Sequence, residues 1–280
     1  MIPLNTQIID IGVNLMHRSF LQDRDEVVAR AAEQGIYPLI LTGTSLRNST
    51  DAARYASRNK GKLYSTAGIH PHDAKSCDDS TIKKLRELAS LPHVVAIGEC
   101  GLDYNRDFSP RDIQRKWFIE QISLATELQM PLFLHERDAH LDFVSILKEH
   151  RPKINRAVVH CFTGTAKELE AYLEMDFHIG ITGWICDERR GKHLRELVKK
   201  IPLNRLMIET DAPFLTPRDL KEKPVDGRNE PLYLRHILDA VAHCMGMRLP
   251  RLRKNFLTYR SSSSYSAHVE NVPFLIRKDI

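Results

Sequence analysis

Four side chains able to bind a divalent metal ion each follow a short apolar run of this 280-residue chain. Glu99 follows 94–97, His135 follows 131–134, His160 follows 157–159, and Asp211 follows 206–208 after two intervening residues. A carboxylate in an apolar layer is costly unless it is paired or binds a cation, and imidazoles and carboxylates are common metal ligands. Each histidine alone is more often a hydrogen-bonded core or loop residue. Their joint placement at strand ends predicts a metal site.

Asp211 has a second possible role in this site, and two further side chains, His70 and Glu209, are candidates for it. Asp211 is a metal ligand, a general base that deprotonates water, or both. His70, after the run 63–67, is a phosphate ligand or proton donor, unless it only stabilises its turn. Glu209 lies two residues before Asp211 and is predicted on the same side of the strand, where it orients metal ligands or is an internal paired acid.

Two residues are candidates for substrate contact. Arg137 lies two residues beyond His135, so in an extended chain it shares the same face and can contact a phosphate. A salt bridge to Asp138 or Asp142 is the alternative. Trp184 follows the seventh apolar run and either stacks on a base or packs within the protein. The charges at 187–190 are mostly solvated in this interpretation, although an arginine among them can meet a substrate backbone.

The elements that position these residues are eight apolar runs alternating with helical patterns at a spacing of roughly thirty residues. Strands are predicted at 8–12, 37–41, 63–67, 94–99, 131–135, 157–160, 177–181 and 206–211. Helices are predicted at 23–34, 46–58, 80–89, 110–130, 140–150, from 165 onward, around 194–198 and at 231–245. Ser109 and Thr165 are the predicted N-caps of two helices, with a capping box at Thr165 and Glu168.

This alternation predicts a (β/α)₈ TIM barrel. A doubly wound open sheet is the alternative, but no G-x-G-x-x-G motif follows the first strand, and the candidate residues are spread around the whole chain. Without a linker or repeat, residues 1–260 are predicted to form one domain. Residues 261–280 are predicted to be irregular, because serine competes for backbone hydrogen bonds.

Composition limits the partners and the compartment. The net charge of +5, with 28% charged residues, is compatible with a polyanionic substrate but falls short of a dedicated nucleic-acid coat. Five cysteines, odd in number and widely spaced, indicate reduced core thiols rather than disulfides or zinc ligands. No signal peptide or membrane span is evident, so the sequence predicts a soluble, cytoplasmic protein. A monomer is also expected.

Several motifs together resemble the TatD metal-dependent deoxyribonucleases, a branch of the amidohydrolase-like barrels. The residues that carry the resemblance are Gly68-Ile69-His70-Pro71, the stretch 96–103, His135-Glu136-Arg137-Asp138, the stretch 160–164, Ile208-Glu209-Thr210-Asp211-Ala212-Pro213 and Arg228-Asn229-Glu230-Pro231. The resemblance implies an amidohydrolase-like (β/α)₈ fold, a divalent metal and phosphodiester hydrolysis. It assigns metal contact to Glu99, His135, His160 and Asp211.

Two departures from the family pattern refine this hypothesis. Most members begin with D-x-H-x-H, whereas this chain has Gly12 and Asn14 at the two histidine positions. The chain instead resembles the TatD subgroup proper, which implies a 3′–5′ exonuclease acting on single-stranded DNA and RNA. The remaining oxygen-rich ligands favour Mg²⁺ or Mn²⁺ over Zn²⁺.

The second departure lies at the C-terminus. The usual C-terminal Asn-Ala helix and Leu-Phe-Gly ending are missing after Thr258, which predicts a weakened or disordered barrel closure.

Two other functions stay open at this point. The same barrel and ligands can serve an amidohydrolase-type reaction on a small amide or ester, and insensitivity to substrate charge would favour that activity. Alternatively, Gly12 and Asn14 are compatible with a catalytically weak nucleic-acid-binding or protein-binding module. Binding that persists unchanged in EDTA would favour that hypothesis.

Overall fold

The computed structural model describes residues 7–247, which contain one eight-stranded parallel sheet with the strands in sequence order. The strands are β1 (Ile8–Val13), β2 (Ile36–Leu41), β3 (Leu63–Ala67), β4 (Val94–Asp103), β5 (Leu132–Arg137), β6 (Ala157–Val159), β7 (His178–Ile181) and β8 (Leu206–Ile208). This order confirms the barrel, because a doubly wound sheet reverses its strand order partway through the chain.

Eight α-helices follow the strands within the described part of the chain. They are α1 (Arg24–Glu33), α2 (Leu46–Arg58), α3 (Thr81–Ala89), α4 (Arg111–Glu127), α5 (His140–His150), α6 (Ala166–Glu174), α7 (Lys192–Leu197) and α8 (Leu234–Cys244). The capping box of α6 is present, with Thr165 and Glu168 each satisfying the other's backbone N–H. None of the described helices is long and apolar enough to cross a membrane.

The interior of the barrel is filled by side chains from the strands alone. Its members are Ile9, Ile11, Ile40, Val95, Ala96, Phe133 and Val158, with Tyr64 and Met207 packed against them. A larger cluster fills the layer between strands and helices. The interior layer supports the site directly, since the ring centroid of Phe133 lies 4.8 Å from that of His160.

The ends of β8 and β1 meet through backbone and side-chain hydrogen bonds. The N–H of Asp211 donates to the carbonyl of Gly12 (2.9 Å), and that of Asn14 donates to the carbonyl of Ala212 (2.7 Å). The buried Asp10 carboxylate accepts from the backbone N–H of Thr210 (3.0 Å) and from its hydroxyl (2.5 Å). Burial raises the pKa of Asp10 to about 8. These contacts bring the first and last strands together at the face where parallel barrels keep their active sites.

The observed strand ends correct three sequence predictions. β5 continues past His135 to Arg137, so His135 lies within the strand. β4 continues past Glu99 to Asp103, so Glu99 lies within the strand rather than at its end. β8 stops at Ile208, so Glu209 and Asp211 follow the strand. The alternation expected of a strand does not apply to Asp211, whose φ of 56° turns the backbone out of the extended conformation.

A further correction concerns Ser109. Pro110 occupies the N-cap position of α4, while the Ser109 hydroxyl donates to the carbonyl of His72 (2.8 Å) and accepts from the N–H of Lys75 (3.1 Å). Ser109 therefore joins the loops after β3 and β4. The predictions for residues 261–280, and for the missing C-terminal helix, lie outside the described residues.

Candidate active site

Glu99 lies at the centre of three histidines that follow or belong to neighbouring strands. Its Oε1 lies 2.7 Å from Nε2 of His160, 2.9 Å from Nδ1 of His135 and 3.4 Å from Nε2 of His70. Burial alone would raise the pKa of Glu99, but the charge of His160 and the hydrogen bonds from His135 and His160 lower it well below its usual value. The carboxylate is therefore ionised and available to a cation.

His160 and His135 each have a second carboxylate behind the ring. Nδ1 of His160 lies 3.3 Å from Glu209 Oε2, and Nε2 of His135 lies 3.5 Å from Asp103 Oδ2. Metal-binding histidines usually have a carboxylate or carbonyl partner on the other ring nitrogen, which fixes the tautomer and the ring orientation. Glu99, His135 and His160 therefore fit a divalent metal ion, with one nitrogen of each ring directed at Glu99.

His70 belongs to the cluster but has a different hydrogen-bonding pattern. Its Nδ1 accepts from the backbone N–H of His72 (3.1 Å), which places the proton of the neutral ring on Nε2. Burial lowers the pKa of His70 to about 3, so the ring is neutral at physiological pH. His70 therefore stabilises its turn, which was one of the two predicted roles, and its Nε2–H is suited to donate a hydrogen bond rather than to bind a metal.

Glu209 is fully buried and held from several sides. Its Oε1 accepts from the backbone N–H of Cys161 (2.6 Å), in addition to the contact with His160. A Cβ atom at Gly12 would lie 2.4 Å from Oε2, and one at Gly180 would lie 2.5 Å from Oε1. A side chain at position 12 would therefore require the Glu209 carboxylate to shift.

Asp211 follows β8 and faces the same group of residues. Its Oδ1 accepts a hydrogen bond from the side-chain amide of Asn14 (2.8 Å). Burial raises the pKa of Asp211 to about 7, and the negative charges of Glu99 and Glu209 add to this effect while His160 opposes it. A carboxylate with a pKa near neutrality is well matched to accept a proton from water. Asn14 is thus a functional candidate as a partner of Asp211.

The two predicted substrate contacts lie nearer the surface. Arg137 is the exposed last residue of β5. Its two predicted salt-bridge partners have other contacts, since Asp138 accepts from Asn105, and Asp142 accepts from Tyr104 and Arg115. Trp184 is half-buried against the core, and the guanidinium of Arg190 lies 4.5 Å from its ring centroid. Arg137 thus remains available to a phosphate, whereas Trp184 combines packing with a cation–π contact.

Sequence reasoning missed the pair formed by Asp103 and His72. Oδ2 of Asp103 lies 2.7 Å from Nε2 of His72, and the ring centroid of His72 lies 4.2 Å from that of His70. Asp103 lies four residues after Glu99, and this even spacing in an extended strand was the signal that both acids share one face.

The fold and the site together define a class of protein. An eight-stranded α/β barrel keeps its chemistry at the carboxyl ends of its strands, which is where this cluster lies. A buried carboxylate with histidine partners at that face is typical of metal-dependent hydrolases.

The chain belongs to the TatD-related DNase family, whose model matches residues 9–259. It is 51% identical over 239 residues to the 3′–5′ ssDNA/RNA exonuclease TatD of Escherichia coli (strain K12), covering 85% of this chain and 92% of the relative. The protein of the same name from Shigella flexneri is 52% identical over the same shares of both chains. The crystal structure of a TatD family hydrolase from Entamoeba histolytica superimposes with a TM-score of 0.82 at 28% identity, covering 90% of this chain and 96% of that one.

Proposed function

We propose that this protein is a metal-dependent 3′–5′ exonuclease that hydrolyses phosphodiester bonds of single-stranded DNA and RNA. The observation that carries the proposal is the contact of one Glu99 oxygen with three histidines at the active face of the barrel. The direction of digestion and the single-stranded substrate are supported by the relatives named as such exonucleases.

Each residue of the site has a role in the proposed reaction. Glu99, His135, His160 and Asp211 would hold the divalent ion, which would neutralise charge on the phosphoryl oxygen and make water easier to deprotonate. Asp211 would accept the proton of the attacking water. His70 would donate a hydrogen bond from Nε2 to the phosphate, and Arg137 would contact a phosphate further along the strand. Glu209 and Asp103 would act through His160 and His135 by fixing their orientation.

Mg²⁺ is the native ion in this proposal, with Mn²⁺ next and Zn²⁺ less favoured. Carboxylate and amide oxygens from Glu99, Asp211 and Asn14 support Mg²⁺, which prefers oxygen ligands. Two imidazoles in the same set make Mn²⁺ a good substitute. The cytoplasmic location is supported by the five cysteines, all of which are free thiols. The monomeric state stays a prediction.

Two exposed aromatic rings support the single-stranded substrate. Phe108 follows β4 and is 55% exposed, and Phe214 follows β8 and is 48% exposed. Since β4 and β8 lie four strands apart in the eight-stranded barrel, the two phenylalanine side chains lie on opposite sides of the active face. Each ring has a histidine against it, His72 for Phe108 and His17 for Phe214. Such aromatic side chains can stack on the bases of a single strand. In a duplex the bases are stacked on one another and are not accessible in this way.

Replacing either ring is expected to weaken substrate binding. Phe108→Ala and Phe214→Ala should each raise the Kd of a short single-stranded oligonucleotide by roughly 5- to 150-fold, because one base stack is worth about 1–3 kcal/mol. Fluorescence anisotropy in EDTA measures binding without turnover. Leu91→Ala, an exposed apolar residue between α3 and β4 at the other end of the barrel, is the control and should bind normally. Unchanged affinity in both phenylalanine variants would remove this role.

The nuclease activity is tested with single-stranded DNA labelled separately at each end, incubated with Mg²⁺, with Mn²⁺ and with EDTA. We expect mononucleotides to appear early from the 3′ label, only with metal, while the 5′ label shortens progressively. If both labels stay intact with every metal, the exonuclease proposal fails, and neutral amides and esters become the next substrates to assay. Binding without cleavage that is unaffected by EDTA would instead support a binding protein.

A further inference from the structure

A second cluster of metal-binding side chains lies outside the active site. One ligand atom from each of Cys186, Asp219 and His236 lies within 4.8 Å of the other two. Cys186 ends the 3₁₀ turn Gly183–Cys186 after β7, Asp219 lies in the loop after β8, and His236 lies in the first turn of α8. Three separate segments therefore meet at this cluster.

The three side chains are joined by hydrogen bonds in the absence of an ion. Nε2 of His236 lies 2.6 Å from Oδ1 of Asp219, and the thiol of Cys186 is hydrogen-bonded to the same carboxylate. A cation would take the place of the protons shared in these two hydrogen bonds. Asp219 is 47% exposed and His236 is 33% exposed, so a cation can reach both side chains from solvent.

The donor set differs in kind from that of the active site. One sulfur, one imidazole nitrogen and one carboxylate oxygen form the mixed set that binds Zn²⁺ and is poorly suited to Mg²⁺. The sequence favoured core thiols for the cysteines, and Cys186 is indeed buried. Only the tertiary structure adds an acid and a histidine beside it.

We propose that Cys186, Asp219 and His236 form a second cation site that takes Zn²⁺, with water as the fourth ligand. Binding releases the thiol proton to solvent, shifts the His236 ring proton from Nε2 to Nδ1, and forms the sulfur–zinc and nitrogen–zinc bonds. The ion would join the loop that carries Trp184 to α8 and to the loop that carries Phe214. It would therefore stabilise the two loops on one side of the active face without taking part in hydrolysis.

The proposal is tested by titrating the full, tag-free chain with Co²⁺ alone, as a spectroscopic substitute for Zn²⁺. We expect a thiolate-to-cobalt charge-transfer band in the near ultraviolet that Zn²⁺ displaces. The band should be lost in Cys186→Ser and retained in Cys161→Ser, the matched control, because Cys161 adjoins His160. It should also be retained in Glu99→Gln, so the result does not depend on the nuclease proposal.

Three results would overturn the second site: no thiolate band in the wild-type chain, a band that survives Cys186→Ser, or a band lost in Cys161→Ser. Two milder variants keep the test valid if Cys186→Ser folds poorly. Asp219→Asn and His236→Gln change partly exposed side chains, and each should bind one Zn²⁺ ion fewer per chain than the wild type in equilibrium dialysis. An unchanged zinc count in both variants would equally exclude the site.

Discussion

Asp211→Asn is expected to lower the rate of nucleotide release by about 10²- to 10⁴-fold, the usual contribution of a positioned general base. An amide cannot accept a proton from water. Its carbonyl oxygen can still accept the hydrogen bond that the Asn14 amide donates at 2.8 Å, so the local structure should persist. The kcat for 3′-end release with saturating Mg²⁺ measures the loss, and thermal unfolding checks that the fold is intact.

The control for this variant is Asp138→Asn, the same chemical change on the same face of the barrel. Asp138 is exposed and accepts a hydrogen bond from Asn105 (2.7 Å), away from the histidine cluster. Its activity should match the wild type. A kcat for Asp211→Asn within about tenfold of the wild type would show that another group accepts the proton.

Glu99→Gln is expected to abolish activity through loss of the metal. The carboxylate is the only group in contact with all three of His70, His135 and His160 among the described residues. Replacing an outer partner of a metal ligand typically costs about 10- to 100-fold in metal affinity, and loss of the charged ligand itself should cost more. Calorimetric titration with Mn²⁺ measures the affinity directly, alongside the rate of nucleotide release.

Glu136→Gln is the matched control for the metal titration. Glu136 adjoins His135 in β5, but its carboxylate accepts from the N–H of Ala139 (2.8 Å) and the hydroxyl of Tyr172 (2.9 Å). It should bind Mn²⁺ as the wild type does. Equal losses in Glu99→Gln and Glu136→Gln would indicate a general disturbance of β5 and its neighbours, and full retention of affinity in Glu99→Gln would place the metal elsewhere.

Local patterns were sufficient to predict the barrel and the centre of the site. Each strand is a short apolar run, and each intervening helix has its own periodicity, so both can be recognised within about ten residues. In a parallel barrel the ends of all strands meet at one face. The sequence alone therefore predicted that Glu99, His135 and His160 lie close together. In the structure Glu99 contacts both histidines.

The partners of these residues were decided by the tertiary structure. Asn14 and Asp211 are 197 residues apart, and their hydrogen bond exists because β8 returns beside β1. The place of Glu209 depends on the space left by Gly12 and Gly180, which belong to two other strands.

Sequence patterns describe which face a side chain takes within one element, but they do not fix distances between elements. Those distances depend on strand register, on where each strand ends, and on how the sheet closes. This is why Glu99, His135 and His160 could be grouped at one face of the barrel from the sequence. The carboxylates that orient them, and the cluster of Cys186, Asp219 and His236, became visible only once the chain was folded.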